Sequence, residues 1–505
     1  MAQEMASACW LHPDLRNALA ALPGATTSFI KRYERAGKTT DVSFDLLAPE
    51  ALRMVVSFLR DRCEAVLRKR SVTEIVDLLD SAAELWLDPA YAPRQKAVGL
   101  ISDITGFSPE MVEHAIDEEQ SSSRGPHLLQ ALTNELGDPA FLDGFQRNDR
   151  LGGFSHALGP GLVGAIFSSN IPALPHLEVM RAFLTKSACL GRVSAGEPVF
   201  LTMYAETLYE LDPELASCMA VIYWERGDDE RESIFLNEID HLVAYGGDEQ
   251  MSRLLKLKPP ALETTLHGHG VGFTYISRGA LNRQNLDDLA RDVSYDFTIF
   301  DGHACLCPQL CMVETGGEVS PREFAFACAR EMGRWAKHLP PRRFDLSEAA
   351  AKYRMRELYL MRESPADDLE VIAAPEDHSY LIVVERLEQF EPSPMDRFFR
   401  IAPIDGFADV ERLIRPLKEY LQCAAMGLGA EETGESQLLR RRLASWGVSR
   451  MVPPGIMGRP SMMWHHDGAP CLGKMVRWCD IELTPPDVLL TVQRNPDQRS
   501  KESFM

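Results

Sequence analysis

Short apolar runs alternate with helical patterns between residues 161 and 276, and this alternation limits the possible folds more than any other feature of the chain. GLVGAIFSS (161–169), ACLGRVS (188–194) and HLVAYG (241–246) are apolar runs of strand length that contain glycine or β-branched residues. EPVFLTMYAETLYEL (197–211), in contrast, has the apolar spacing of a helix. Strands and helices that alternate in this way build a parallel sheet with helices on its faces. The pattern therefore predicts an α/β fold that binds ligands where its strands end.

The first 157 residues have a different pattern, which predicts a helical region. PEALRMVVSFLRDRCEAVLRKR (49–70) places apolar residues three and four positions apart. SVTEIVDLLDSAAELWL (71–87) opens with a serine cap and a glutamate three residues later, and SPEMVEHAIDEEQ (108–120) repeats a Ser-Pro-Glu start. We interpret this region as a packing or oligomerisation layer that carries no chemistry itself.

Length and charge narrow the class of protein. The chain has 505 residues, which is too many for one ordinary core, so we expect at least two domains. A formal charge of -21 would repel a polyphosphate backbone, and we therefore expect no nucleic-acid partner.

The start shows no secretory signal and the apolar stretch GLVGAIF is too short to span a bilayer, so we expect a cytoplasmic protein without a membrane span. The eleven cysteines are then mostly small buried hydrophobes.

Three of these cysteines are close together in DGHACLCPQLC (301–311). Cys305, Cys307 and Cys311 could bind zinc with His303, but structural zinc sites usually draw two ligands from each of two separated knuckles, and this spacing fits poorly. One of the thiols could instead be a nucleophile in a thiolate-favouring pocket. Both hypotheses remain open from these residues alone.

Two other segments could contribute to a site. Asn170 follows a predicted strand and precedes a helix in FSSNIPALP (167–175), where its carboxamide could donate to an oxyanion or only close a local turn. WHHDGAPCLGKMVRWCDIE (464–482) combines His465 and His466 with an aspartate, which suits acid–base work, a metal or a structural network equally.

Together these segments resemble the LuxC-type acyl-CoA reductases of the aldehyde dehydrogenase superfamily. The resemblance covers most of the chain. It is carried by LTNELGDPAFLDGF (132–145), FSSNIPALP, HLVAYGGDE, DGHACLCPQL, SPMDRFFRIAPID (393–405), KEYLQCAAMG (418–427), WGVSRMVPPGIM (446–457) and the WHHDG…VRWCDIE ending.

The resemblance implies an α/β fold with a doubly wound, Rossmann-type cofactor domain and an α/β catalytic domain beside the helical N-terminal region. The expected divisions are the helical region over 1–157, packed on the cofactor domain, the dinucleotide-binding domain over 158–282, the catalytic domain over 283–470 and a C-terminal segment over 471–505. It also implies reduction of a fatty acyl thioester to the aldehyde by NADPH. The expected partners are an acyl-CoA or acyl-thioester substrate, an acyl-protein synthetase or carrier protein, and further copies of the chain in a homo-oligomer.

Carried over residue by residue, the resemblance makes Cys305 the acyl-accepting nucleophile and Asn170 the oxyanion donor. No metal is expected. The residues that correspond to cofactor contacts are Ser168, Arg192, Ser194, Gly246 and Gly247, with the last two at the turn over the pyrophosphate. The glutamate that favours NAD in many relatives would align near Ala195 and is absent, which leaves room for a 2′-phosphate.

The general-base glutamate of aldehyde-oxidising members is also absent, because LHGHG (266–270) aligns with their Glu-Leu-Gly-Gly segment. His267 and His269 lie there, and with His465 and His466 they are candidates for acid–base or supporting roles. Asp396 is only a loose substitute for the superfamily's carboxylate at the nicotinamide ribose. A non-catalytic zinc-binding or assembly protein and an NAD-dependent aldehyde oxidiser are the alternative functions.

Overall fold

The computed structural model describes residues 5–35, 37–364, 369–375, 378–429 and 434–483. Its N-terminal region contains the predicted helices and, in addition, a hairpin. The elements up to the first large sheet are β1 (Ala6–Ser7), α1 (Pro13–Ala20), β2 (Thr26–Arg35), β3 (Lys38–Leu47), α2 (Pro49–Arg62), α3 (Val72–Leu87), α4 (Ala92–Thr105), α5 (Pro109–Ser122), α6 (Gly125–Leu136), β4 (Gln146–Asn148) and β5 (Gly153–Leu158).

The capping signals in the sequence form as expected. Ser71 and Glu74 make the reciprocal bonds of a capping box at the start of α3, and Ser108 accepts a hydrogen bond from the Met111 amide at the start of α5. The prediction of a helical region was nevertheless incomplete, because β2 and β3 pair antiparallel along their whole length. α2 packs against strands of the following sheet, so the N-terminal region and that sheet share one apolar core.

The second region is the predicted parallel α/β unit. It consists of β6 (Leu162–Ile166), α7 (His176–Leu184), β7 (Ala188–Arg192), α8 (Phe200–Leu211), α9 (Pro213–Ala216), β8 (Met219–Ile222), α10 (Asp229–Glu238), β9 (His241–Tyr245), α11 (Asp248–Leu257) and β10 (Glu263–His267). The strand order is β10-β9-β6-β7-β8 with every pair parallel. The chain therefore changes direction across the sheet between β6 and β9, and a crevice opens beyond their carboxyl ends.

The third region is a mixed sheet that begins earlier than the predicted boundary at residue 283. It contains β11 (Val271–Ile276), α12 (Leu286–Thr298), β12 (Pro308–Glu314), α13 (Pro321–His338), α14 (Leu346–Arg362), β13 (Glu370–Ala373), β14 (Leu381–Val384), β15 (Phe398–Ile404), α15 (Phe407–Ile414), β16 (Leu421–Gly427), α16 (Gly434–Ser445) and β17 (Arg450–Val452). The order is β13-β14-β15-β12-β11-β16-β17, and within the described part of this sheet β13 is the one strand that runs antiparallel to its neighbour. β11 joins this sheet because it pairs with β12 and β16.

The described part of the C-terminal segment returns to the N-terminal region. β18 (Arg477–Glu482) pairs with β5 in a small antiparallel sheet that also contains β4. Ser155 on β5 donates to Asp480 on β18 across 2.6 Å. The remainder of the predicted segment, 484–505, lies outside the described residues. No helix in the described ranges is long and apolar enough to cross a bilayer.

Candidate active site

The three neighbouring thiols have different environments. A tight turn connects α12 to β12, and Phe300 and Asp301 in this turn have positive φ. Cys305 lies between this turn and the strand, where it is partly exposed and lines a cavity of about 630 Å³. Cys307 is buried and its thiol donates to the Ile299 carbonyl, whereas Cys311 is buried inside β12. The structure therefore brings Cys305 to the cavity and keeps the other two thiols in the core.

The cavity has an apolar wall and a second part lined by polar and charged side chains, among them Glu118, Arg181 and Arg459. α7 and the turn before it provide aliphatic side chains, and the loop after β17 provides two methionines and a tryptophan. The apolar lining residues are Ile171, Leu174, Leu177, Phe300, Leu306, Met395, Met462, Met463 and Trp464. This volume and lining are typical of a site for a small, largely apolar molecule.

Asn170 is joined directly to residues 301–305, which end at the predicted nucleophile Cys305 and are called the nucleophile segment below. Asn170 lies on the turn after β6, and its Nδ2 donates to the His303 carbonyl at 3.2 Å, two residues before Cys305. Ser168 donates to Asn170 Oδ1 at 2.6 Å, which fixes the orientation of the carboxamide with its amino group toward the nucleophile segment. Both Ser168 and Asn170 line the cavity beside Cys305. The arrangement suits an oxyanion donor, the role predicted for Asn170.

His303 is held from its other side by an ion-pair network. Its Nε2 is 2.8 Å from Asp396 Oδ1, and Arg342 Nε donates to the same oxygen at 2.7 Å. Burial opposes ionisation of Asp396, but His303 and Arg342 outweigh it and lower the pKa of the carboxyl to about 2. Asp396, considered above as a substitute for a ribose-binding carboxylate, is thus engaged in fixing the nucleophile segment.

A second network reaches Cys305 from the opposite side. His267 is the last residue of β10, and its Nδ1 is 2.7 Å from Asp467 Oδ2. The other oxygen of Asp467 accepts a 2.6 Å bond from Gln422 Nε2, at the beginning of β16. His267, Gln422 and Cys305 all line the cavity. Gln422 was not identified from the sequence, because no local pattern marks a glutamine in a strand as part of a site.

Two aromatic rings stack against the His267 imidazole. Tyr245 stands opposite His267 in the parallel register of β9 and β10, and their rings stack with centroids 4.6 Å apart. The His466 ring stacks on His267 at 3.8 Å with an interplanar angle of 21°, and its centroid is 6.2 Å from that of Tyr245. Tyr245 in turn donates to Glu178 at 2.6 Å, and Glu178 forms a buried ion pair with Arg181. The imidazole of His267 is therefore held in one orientation.

The predicted histidines separate into two groups. His267 and His466 belong to the stacked cluster, and burial with the adjacent His267 lowers the pKa of His466 to about 3, so that its ring stays neutral. His269 is exposed and lines the cavity, and the centroid of its ring is 6.4 Å from that of Tyr420 in an edge-on arrangement. His465 is exposed and does not line the cavity.

Burial raises the pKa of the Cys305 thiol to about 12, with the Asp467 carboxylate as the next cause. Gln422 is also close enough to act on this thiol, in the opposite direction. At neutral pH the resting residue is therefore a thiol, not a thiolate. Nucleophilic attack by Cys305 then requires a group that accepts its proton as substrate binds.

The metal hypothesis from the sequence is not supported by these positions. In the described part of the chain, the group of possible ligands whose atoms lie within 4.8 Å of one another is His267, His466 and Asp467, without any of the three cysteines. An imidazole binds a metal along its ring plane, at 2.0–2.1 Å for zinc. Two rings stacked nearly parallel at 3.8 Å do not share such a point. The cluster is better suited to proton transfer than to holding an ion.

The predicted cofactor contacts lie at the carboxyl ends of the strands. Gly246 and Gly247 follow β9 and line the cavity with Ser168, on the two sides of the crevice between β6 and β9. A Cβ on Gly247 would meet no atom within 4 Å, whereas one on Gly246 would lie 2.6 Å from Gln250 Oε1. The backbone at Gly247 is therefore open to a ligand, as contact with a pyrophosphate requires.

Arg192 and Ser194 lie farther along the same edge. Arg192 Nη2 donates to the Trp224 carbonyl at 2.8 Å, and its guanidinium lies over the Tyr223 and Trp224 rings. Ser194 accepts a bond from the Gly196 amide. Beside Arg192 is a small recess of about 50 Å³ whose wall includes Arg226 and Arg253. Arg253 is paired with Asp229 and Glu232, but Arg226 makes no ion pair with a described residue. Arg226 was not identified from the sequence.

The fold is that of an aldehyde-dehydrogenase-like protein, and the segment with Cys305 lies at the same cavity as the crevice between β6 and β9. The structure is similar to that of the aldehyde dehydrogenase KauB from Pseudomonas aeruginosa, with a TM-score of 0.68 and 12% identity over 94% of this chain and 100% of that one. A similar match, with a TM-score of 0.63 and 12% identity, joins 90% of this chain to 95% of an NADP-dependent enzyme from E. coli. At these identities the matches show the fold alone.

The family model for acyl-CoA reductase (LuxC) matches residues 67–478, and the chain belongs to this family. Its relatives include the long-chain acyl-protein thioester reductases of Vibrio harveyi, 22% identical over 432 residues, and of Aliivibrio fischeri, 24% identical over 433 residues. Each alignment covers 84% of this chain and 86% of the relative. The family and enzyme class that the sequence motifs predicted are thereby confirmed.

Proposed function

We propose that this protein reduces a fatty acyl thioester to the aldehyde through a covalent acyl-cysteine at Cys305. The observation that carries the proposal is the position of Cys305, whose side chain lines a cavity with an apolar wall, while the Asn170 carboxamide in the same cavity is bonded to the carbonyl of His303, two residues before Cys305. The relatives' names specify long-chain acyl-protein thioesters, and an apolar cavity of about 630 Å³ is suited to an acyl chain.

The reaction begins with attack of the Cys305 sulfur on the acyl carbonyl. The developing oxyanion accepts hydrogen bonds from Asn170 Nδ2 and a backbone N–H of the nucleophile segment. Expulsion of the carrier thiol leaves the acyl group on Cys305. A nicotinamide cofactor, when bound, supplies the hydride that converts the thioester into an aldehyde. The Cys305 sulfur is then the leaving group as the aldehyde forms.

For the cofactor we propose NADPH. The recess beside Arg192 is lined by Arg226, which has no ion pair with a described residue, and by the carboxylates Glu249 and Glu232, the second of which is paired with Arg253. Position 195, where the resemblance would place an NAD-favouring glutamate, is an alanine. A 2′-phosphate there would meet Arg192 and Arg226, the interaction that an NADP-binding arginine usually makes. Ser168, Gly246 and Gly247 would hold the remainder of the cofactor.

Acyl labelling tests the nucleophile. Incubation with acyl-CoA carrying a radioactive acyl group, without NADPH, should label the wild-type protein and the Cys307→Ala variant but not Cys305→Ala. Cys307→Ala is the matched control because this thiol is two residues away, buried and outside the cavity. Label that persists on Cys305→Ala would overturn the assignment. Formation of NADH from NAD and an aldehyde, at a rate comparable to that of thioester reduction, would instead identify an aldehyde oxidiser.

We also propose that an acyl-protein synthetase or an acyl carrier protein delivers the acyl group, since the relatives are named for acyl-protein substrates. An acylated partner should transfer its label to Cys305 faster than acyl-CoA does at the same concentration. Equal rates with each donor, with no complex on co-purification, would contradict this.

A further inference from the structure

The His267 imidazole has one nitrogen occupied and one free. Asp467 Oδ2 accepts the proton of Nδ1, so the neutral ring carries its lone pair on Nε2. Nε2 makes no hydrogen bond to a described residue, although His267 lines the same cavity as Cys305. The hydrogen bond to Asp467 and the stacking contacts with Tyr245 and His466 hold the ring in this orientation, with Nε2 as the nitrogen left without a described partner.

Asp467 is placed to orient this ring and not to act alone. Its side chain bridges His267 and Gln422, so both oxygens are engaged. Burial opposes its ionisation, but the hydrogen bonds from His267 and Gln422 favour the carboxylate, and the pKa of Asp467 is lowered. Asp467 also adopts a positive φ of 54°, a backbone conformation that costs energy in a residue other than glycine and occurs often at functional sites.

We infer that His267 is the acid–base residue of the acyl transfer and that Asp467 and Gln422 are its positioning residues. The inference rests on the proposed function. The Cys305 thiol proton moves to His267 Nε2 as the bond from sulfur to the carbonyl carbon forms. When the bond from that carbon to the carrier sulfur breaks, the same proton moves from Nε2 to the departing sulfur. No group is oxidised or reduced in this step, and the imidazole returns to its initial state.

The groups around His267 are consistent with such a shuttle. The titratable and charged groups that face it are Tyr245 on β9, Glu178 and Arg181 on α7, His466 and Asp467 in the loop after β17, and the thiols of Cys305 and Cys471. Glu178 and Arg181 neutralise each other, and His466 stays uncharged. Asp467 is thus the carboxylate that stabilises an imidazolium at His267.

Single-turnover experiments separate acyl transfer from reduction. Without NADPH, wild-type protein and the variants His267→Ala, Asp467→Asn and His465→Ala are mixed with acyl-CoA, quenched, and the acylation of Cys305 is followed by mass spectrometry. Loss of a general acid–base residue typically costs about 10²–10⁴-fold in rate. We expect a loss of at least 100-fold in His267→Ala, a loss in the same direction in Asp467→Asn, and the wild-type rate in His465→Ala, whose side chain is exposed and outside the cavity.

Two further measurements distinguish a chemical role from a structural one. Acyl-enzyme accumulated on His267→Ala over a long incubation should reduce at the wild-type rate after NADPH is added. Imidazole in the buffer should restore part of the acylation rate of His267→Ala, with a pH dependence that follows imidazole. Any of three results would overturn the inference. They are acylation of His267→Ala at the wild-type rate, no rescue of this variant by added imidazole, and recovery of acylation when zinc is added to wild-type protein inactivated by a metal chelator. Label on Cys305→Ala would instead refute the proposed function, so the two failures are distinguishable.

Discussion

A buried ion pair fixes the start of the nucleophile segment, and its removal should destabilise the protein strongly. Asp301, four residues before Cys305, pairs with Arg397, and each side chain is only 1% exposed. Asp301 Oδ2 also accepts the Arg342 amide at 2.9 Å, while Arg397 Nη2 donates to the Leu339 carbonyl at 2.6 Å. The substitution Arg397→Met keeps much of the side-chain volume but leaves the Asp301 carboxylate with one described hydrogen-bond donor, the Arg342 amide.

The magnitude follows from the burial of the charge. Removing one partner of a buried pair typically costs about 3–5 kcal/mol, because the other charge remains without compensation. At 1.4 kcal/mol per tenfold, the unfolding equilibrium constant should rise by roughly 100- to 4,000-fold. Adding Asp301→Asn should recover a large part of this loss, because asparagine is neutral and tolerates the positive φ of 50° at this position.

The assay is urea unfolding followed by the fluorescence of the seven tryptophans, on both single variants and the double variant. A double-mutant cycle should give a coupling of about 2 kcal/mol between Asp301 and Arg397. Arg32→Ala is the control, since its pair with Asp41 is exposed and should contribute at most about 1 kcal/mol. An Arg397→Met variant as stable as the control, or strictly additive losses in the cycle, would refute the reasoning.

Three more predictions concern the cavity and the recess. Asn170→Ala should lower the rate of Cys305 acylation by about 100-fold or more, with NADPH affinity unchanged by fluorescence titration; an equal loss of both would contradict an oxyanion role. Arg226→Ala should raise the Kd of NADPH by about tenfold without changing that of NADH, because a hydrogen bond between charged groups contributes about 1.5–3 kcal/mol, and parallel losses for both cofactors would exclude a 2′-phosphate contact. Burial raises the pKa of Glu119 to about 8 from 4.5, so the folded state holds a proton that the unfolded state loses, and stability should fall as pH rises through this window. Glu119→Gln should therefore raise the thermal midpoint above that of the wild type at pH 8 but not at pH 4.5. A difference between variant and wild type that is the same at both pH values would contradict this.

Much of the parallel unit was predictable from sequence because several of its strands are local signals. Apolar runs bounded by helical patterns located β6, β7 and β9, which include the two strands beside the crevice, whereas β10 was missed because its residues are mostly polar and partly exposed. The hairpin of β2 and β3 was missed because β2 is polar and largely exposed, so its sequence carries no apolar alternation. β11 was assigned to the preceding unit because its apolar run shows that it is a buried strand but not which sheet it joins.

The site could be predicted only in part, for a related reason. The resemblance to a known family led to Cys305 and Asn170, and the structure places these two residues together. The bonds that join His267, Asp467 and Gln422 cross 200 and 45 positions of the chain. Such contacts depend on the register of β10 against β9 and on a loop that returns from β17. No spacing within a single segment encodes them.

The absence of a base glutamate from LHGHG (266–270), together with the role we propose for His267, agrees with the difference between thioester reduction and aldehyde oxidation. An oxidising enzyme must hydrolyse its acyl-enzyme, so it needs a base directed at water. A reductase has the opposite requirement, since water that reaches the acyl-cysteine diverts it to the acid. In a thioester reductase, the proton of the cysteine thiol has to move to the sulfur of the departing carrier. A neutral imidazole can accept and return such a proton near pH 7. A carboxylate with an ordinary pKa near 4 would accept the proton of a buried thiol far less readily. In the mechanism that we propose, Asp467 at Nδ1 supplies the stabilising negative charge and the imidazole of His267 receives the Cys305 proton.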